Sequence, residues 1–204
     1  MDKWNQLADR ETVERTIASL KVNRMEAYFV ETAEEAKRKV FELVPEGAEV
    51  MDMSSVTLDT ISIVKEIQES GRYNSVRKKL LSMDRKTQSG EMQKAGAAPE
   101  WVIGSVHAVT EDGRVLIASQ SGSQLPAYAF GSSHVIFVVG TQKIVKNIDG
   151  GMKRIYDYVL PLESERAKKA YGVPGSAVNK VLTINKEAQK GRIIIIFVNE
   201  VLGF

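Results

Sequence analysis

Helical segments alternate along the chain with strands that are apolar on both faces, and this predicts a three-layer α/β/α sandwich around a mostly parallel sheet. A strand buried on both sides needs helices above and below it. The runs 135–139 and Ile193–Val198 are of this kind. A second observation is the dipeptide Asp112-Gly113 between two apolar runs, which predicts an antiparallel hairpin insertion because both turn positions tolerate positive φ. The third is size and balance. With 204 residues, 43% hydrophobic and 26% charged, the chain fits a single domain over 1–204, with residues 1–26 as an N-terminal helical extension.

The elements follow in order. Residues 12–25 are expected to be a polar helix, with Val13, Ile17, Leu20 and Met25 on one face. Residues 27–30 are β-prone. Thr32, with Glu35 three residues on, has capping-box spacing, and the helix it starts buries Ala36, Val40 and Val44 before Pro45-Glu46-Gly47 ends it. Residues 48–53 read as a buried strand. Residues 57–69 read as one helix, with Leu58, Ile61, Val64 and Ile67 recurring at about one turn and Gly71 as the stop.

The polar, basic stretch 72–99 predicts a short strand at 73–76 and one or two helices over 78–97. Residues 101–109 and 114–119 are the apolar strands of the hairpin. A short helix is expected at 125–130 and a strand at 134–139. Ile148, Met152, Ile155, Val159 and Leu162 form the stripe of an amphipathic helix, kinked or restarted at Pro161 and closed by Gly172. Residues 181–184 and Ile193–Val198 are the closing strands.

Composition excludes several function classes. Lys plus Arg is 28 against 26 for Asp plus Glu, a net charge of +2, so there is no footprint for general nucleic-acid binding. The cluster Arg72, Arg77, Lys78, Lys79, Arg85 and Lys86 has only Tyr73 as aromatic company and is expected to be a solvated helix face. The absence of cysteine excludes disulfides, thiolate catalysis and cysteine-ligated clusters in this chain. With two histidines, no metal site is expected. The charged first fifteen residues and the lack of a membrane-length apolar run lead to the expectation of a cytoplasmic protein.

Ligands of such a sheet sit outside the carboxyl ends of its strands. Ser54, Ser55 and Thr57 follow an early strand, where hydroxyls and free N–H groups can receive phosphate or carboxylate, or merely cap a helix. Gly122, Ser123 and Gln124 form a second loop with successive N–H groups. Ser176, Asn179 and Lys180 lie in a third loop of this kind. Lys143 and Lys146 could neutralise an anion or be solvated. Glu111 at the hairpin tip could be a nucleophile or general base, or simply turn chemistry. His107, mid-strand beside Ser105 and Trp101, could face the same cleft or be a satisfied core histidine. No Walker loop, nucleophile elbow, HExxH or dinucleotide fingerprint occurs.

Several segments together resemble the LUD domain, the lactate-utilization protein family. They are Pro45-Glu46-Gly47-Ala48-Glu49-Val50 with Ser55-Val56-Thr57-Leu58, the hairpin from Gly104 to Gly113, Gly122-Ser123-Gln124, and Val135 to Gly140 with Lys143-Ile144-Val145. Gly191-Arg192-Ile193 and Glu200-Val201-Leu202-Gly203-Phe204 complete the match over residues 12–204. The resemblance implies a fold like that of the ribose-phosphate isomerase and CoA-transferase superfamily, with Ser54, Ser55 and Thr57 as leading ligand-loop residues. Glu111-Asp112-Gly113 is similar in type to the catalytic Glu-Asn-Gly turn of CoA-transferases. The early loop departs from the glycine-rich form of many members, and residues 171–180 lack the cysteines that many relatives carry.

Three functions are therefore expected in turn. The first is a binding or accessory subunit of lactate-type organic-acid utilization, holding an anionic small molecule that bears phosphate or carboxylate. An iron–sulfur partner subunit would have to supply any electron transfer. The second is an isomerase or acyl-CoA-transferase using Glu111, with His107 in the same cleft. The third is a regulator or scaffold without a small-molecule site. No cofactor is named by the residues, no nucleic acid or membrane is expected as partner, and a homodimer is the expected assembly.

Overall fold

The computed structural model describes residues 3–204; the first two residues of the expected N-terminal extension lie outside them. Helix α1 (Arg10–Val22) starts at Asp9, whose carboxylate accepts the Thr12 N–H at 2.7 Å. That cap satisfies one of the N–H groups a helix start leaves open. Val13 and Leu20 of α1 face the core beside strand β1 (Glu26–Val30). Thr32 caps α2 (Ala33–Leu43) through the Glu35 N–H, while the Glu35 carboxylate reaches back to the N–H of Glu31.

Beyond β2 (Glu49–Asp52), the single helix expected over 57–69 is two, α3 (Val56–Thr60) and α4 (Ile63–Glu69). Ser62 between them takes a left-handed φ of 58°, which breaks the helical ladder. The polar stretch holds β3 (Asn74–Ser75), α5 (Val76–Ser82) and α6 (Ser89–Ala97).

The apolar run 101–109 is not one strand. It divides into β4 (Trp101–Gly104) and β5 (Ala108–Thr110), so His107 lies in the break and not mid-strand. β6 (Val115–Ser119) follows the Asp112-Gly113 turn. A turn of π-helix, Ala127–Gly131, leads into β7 (His134–Gly140), a 3-10 turn and β8 (Ile144–Val145). One long helical rod comes next: α7 (Ile148–Arg154), a π-turn (Ile155–Val159) and α8 (Leu160–Tyr171). The irregularity expected at Pro161 thus sits one turn earlier, where the ladder widens ahead of the residue that cannot donate. β9 (Lys180–Ile184) and β10 (Ile193–Val198) complete the chain.

Six strands form a wholly parallel sheet in the order β1-β10-β7-β4-β2-β3. Its strands are apolar on both faces because both are covered. Ile136, Val138, Ile196 and Val198 pack against α2, α3 and α4, while Val135, Phe137, Ile195 and Phe197 face α1, α5 and the hairpin. The hairpin is the middle of a second, four-stranded sheet, β8-β5-β6-β9. Strand β9, expected among the closing strands, pairs there, antiparallel to β6. One face of this sheet, with Val109, Val115 and Ile117, joins the core; the other, with Ala108, Leu116 and Ala118, meets Ile155 of the helical rod.

Candidate functional site

Three chain segments leave the parallel sheet at its carboxyl end and converge there. After β2, Ser55 caps α3, its hydroxyl accepting the Leu58 N–H at 3.5 Å, and Thr57 follows inside the first turn. After β4, the chain crosses to the second sheet through Ser105. After β7, the 3-10 turn Thr141–Lys143 brings Lys143 back over the strand ends. The Lys143 Nζ donates to Thr57 Oγ1 and to Ser105 Oγ, each at 3.1 Å. Thr57 is itself held, since its hydroxyl donates to the Leu202 carbonyl at 3.1 Å, and Gln142 donates to the same carbonyl. Gly203 lies so close that a Cβ there would stand 2.5 Å from Thr57 Oγ1.

Lys143 is only 1% exposed. No carboxylate pairs with it among the described residues. Burial, and then the neighbouring Arg154 guanidinium, push its pKa down from 10.5 to about 7. His107 is pushed down from 6.5 to about 3, first by burial and then by Lys143 and Arg154. Its Nδ1 accepts the Ala118 N–H at 3.0 Å, as a neutral imidazole must. Arg154, fully buried where α7 meets the π-turn, donates to the His107 carbonyl at 2.7 Å. The pairing of Val109 with Ile144 sets Lys143 level with Ala108, one residue along from His107.

Of the residues singled out in the sequence, Thr57, Lys143 and His107 are brought together, with Ser105 among them. Ser54 is exposed beside them, and Ser55 serves as the helix cap. The Gly122 and Asn179–Lys180 loops meet each other: Asn179 donates to the Gln120 carbonyl at 3.2 Å, and Gly122 lies against the Lys180 side chain. The N–H groups of Gly122 and Ser123 are already donated to Ser119 Oγ and Ser121 Oγ, and Gln124 accepts from Ser119. This loop starts two residues beyond Ala118, the partner of His107. Ser176 is tied elsewhere, its N–H on Ser164 Oγ of α8. Lys146 is exposed.

Glu111 stands apart. It is level with Lys146, three residues beyond the level of Lys143, or about 10 Å along the strands. Its carboxylate faces Arg15 of α1 at 3.5 Å. The tip itself is braced by Thr110 and Asp112, whose side chains share a short hydrogen bond, and by Asn23 donating to the carbonyls of Asp112 and Gly113.

Sequence reasoning missed Arg154 and Asp52. Arg154 lies one turn from both Gly151 and Tyr158, so it falls on the buried side of its helix, and a charge at such a position was the available signal. Asp52 closes β2 and is 1% exposed. It accepts from Gln68 at 2.8 Å and pairs with Arg77 at 3.0 Å, and burial raises its pKa against those partners. Arg77 also donates twice to the Asp52 carbonyl, at 2.8 and 2.7 Å. Arg77 is therefore not part of a solvated face, contrary to the reading of the basic cluster.

No group of three or more His, Cys, Asp or Glu side chains suited to a metal occurs among the described residues. Nor, among them, is any helix long and apolar enough to cross a membrane.

A solved structure of a DUF162 family protein from Deinococcus radiodurans superposes on this chain with a TM-score of 0.55, covering 95% of this chain and 99% of that one. The two sequences are 11% identical, so the likeness is one of fold. No curated protein matches the sequence. The LUD domain matches residues 13–198, which include every strand of both sheets. The chain belongs to the LUD domain family.

Proposed function

We propose that this LUD-domain protein binds a small organic anion, bearing carboxylate or phosphate, at the strand-end cluster around Lys143. In this reading it is a binding or accessory component of lactate-type organic-acid utilization. The supporting observation is the state of Lys143. Its Nζ is buried on two hydroxyls, beside a second buried cation, with no acid opposite it among the described residues. Burying an ammonium is costly unless a counter-charge offsets it. An anion docked there would supply that counter-charge, while Thr57 and Ser105 offer hydroxyls at hydrogen-bond range. The chain contains no cysteine, so any cysteine-ligated iron–sulfur cluster serving this role would sit on a partner subunit.

The acyl-transfer reading built on Glu111 has less support, because its carboxylate stands about 10 Å along the strands from the Lys143 cluster, in a solvated pair with Arg15 at 3.5 Å.

The reading is tested by thermal shift and calorimetry with hydroxy acids, 2-oxo acids, sugar phosphates, CoA esters, folates and nucleotides. A ligand at 100 times its dissociation constant stabilises the fold by about 2.7 kcal/mol. Binding that disappears in Lys143→Met supports the proposal. Silence across the panel, or equal binding by the variant, overturns it.

A further inference from the structure

We infer that the segment 201–204, which follows β10, is a cover over the strand-end cluster, and that a carboxylate opens it by taking the place of the Leu202 carbonyl on Thr57 and Gln142. This rests on the anion-binding reading above, and it selects carboxylate over phosphate.

The cover lies outside the strand ladders, and Leu202 is its buried part. The Leu202 carbonyl accepts from Thr57 Oγ1 and from Gln142 Nε2, each at 3.1 Å. Two glycines let the segment lie this close. A Cβ on Gly140, at the end of β7, would stand 2.5 Å from the Glu200 carbonyl oxygen and 2.9 Å from the Leu202 nitrogen. A Cβ on Gly203 would stand 2.5 Å from Thr57 Oγ1 and 3.0 Å from the Thr57 nitrogen. The segment is therefore in direct contact with Thr57, whose oxygen accepts from Lys143 Nζ. It closes the Thr57 side of the cluster.

Its tether is light. Up to residue 200 the chain is pinned: the Asn199 N–H reaches the Val30 carbonyl at 3.0 Å, and the Glu200 carboxylate accepts the Ala33 N–H at 2.9 Å. Beyond that point, among the described residues, the two bonds onto the Leu202 carbonyl are the only hydrogen bonds of 201–204. Segments with so few bonds open at lower free energy than core strands. The cover can swing from Glu200 while β10 stays paired on both sides.

The bonding beneath the cover favours an exchange of acceptors. Gln142 is 3% exposed, and its amide donates to Leu202 while its Oε1 has no hydrogen-bond partner. Buried polar atoms are normally paired, so the closed arrangement satisfies only part of this side chain. Two neutral donors, the Thr57 hydroxyl and the Gln142 amide, converge on one peptide oxygen. An ionised acceptor in that position makes hydrogen bonds about twice as strong. A carboxylate has the planar shape of the peptide group it would replace, whereas phosphate is tetrahedral. Gln142 thereby becomes a ligand-binding residue alongside Thr57.

The test acetylates the full-length protein with N-hydroxysuccinimidyl acetate and follows Lys143 by peptide mapping, with the exposed Lys146 as internal reference. In the wild type, Lys143 is expected to react at a rate that low urea does not change, the mark of a local opening. Gly203→Ala, which drives a methyl group onto Thr57 from a backbone φ of 62°, is expected to raise that rate at least about tenfold and leave Lys146 unchanged. By calorimetry, lactate binds this variant more tightly than the wild type, because no cover has to be displaced. Gln142→Met weakens lactate at least about tenfold, and inorganic phosphate binds the wild type more weakly than lactate does. If Lys143 reacts only as fast as global unfolding allows, with the urea dependence of unfolding, the cover does not open and the inference falls, whether or not Gly203→Ala folds. If lactate binds in a Lys143-dependent manner but equally well in Gln142→Met, or phosphate binds as tightly as lactate, the exchange with Leu202 is overturned and anion binding stands. If neither lactate, phosphate nor any other anion binds, both readings fall.

Discussion

Lys143 and His107 stand side by side where two strands of the second sheet begin, and each is held away from its charged form. Burial is the larger cause for both. Lys143 adds to the depression at His107, and Arg154 acts on the pair. Both bases contribute to the dependence of stability on pH.

Lys143 takes up its proton near pH 7 in the folded protein but near 10.5 when unfolded. Between those values the unfolded chain holds more protons, so the free energy of unfolding rises with pH across that window. Urea titrations at about pH 7 and about pH 10 are expected to differ by a few kcal/mol in favour of the higher pH, and Lys143→Met removes the difference. A wild-type profile that falls over this range contradicts the buried, unpaired ammonium.

The same sign applies to His107, whose window runs from about 3 to 6.5. Stability is lost as pH falls through it, because the unfolded imidazole protonates and the folded one does not. His107→Ala flattens this limb. At neutral pH it leaves the Ala118 N–H without its acceptor, at a cost of about 1–3 kcal/mol. Equilibrium denaturation of both proteins at about pH 5 and about pH 7 reads both effects.

Gly104 is expected to tolerate no larger residue. A Cβ there would overlap the hydroxyl of Tyr128, a buried ring packed edge-on to Phe137 at 4.8 Å. Gly104→Ala is expected to cost about 1–3 kcal/mol by overpacking. Combined with Tyr128→Phe, which deletes the offending oxygen, part of that loss returns. Strict additivity in the double-mutant cycle would show that the two groups do not meet.

Arg77→Met strands the Asp52 carboxylate at the end of β2, where one oxygen already has no hydrogen-bond partner. A loss of about 3 kcal/mol is expected from removing one member of such a pair. Glu111→Gln is the contrast. It breaks a solvated pair with Arg15, and the free energies of anion binding and of unfolding should both stay within about 1 kcal/mol of the wild type.

The layers were readable from patterning. Strands without a polar face, such as Ile193–Val198, require cover on both sides, and Asp112-Gly113 marks its turn by backbone chemistry alone. Where one apolar run changes sheets was not readable. Residues 101–109 are continuously apolar save for Ser105 and His107, and periodicity does not say which sheet a strand joins; the same ambiguity hid the true neighbour of β9. Within the candidate site, Thr57 and Lys143 could be nominated as residues following strands. Burial of Lys143 could not, since it depends on the carbonyl of Leu202, the register of β8 on β5, and Arg154 arriving from a distant helix. The Ser176 loop shows the converse, a plausible Gly-Ser motif whose N–H is spent on α8.

Because the backbone passes from β4 to β5 through only residues 105–107, the two sheets share a covalent hinge with the Ser105 hydroxyl on it. The hairpin tip, gripped by Asn23, is the far arm of that lever. The three residues of that crossing fix how far the second sheet can stand from the first at this point, so an insertion there would move the Ser105 hydroxyl away from the Lys143 Nζ that it accepts from.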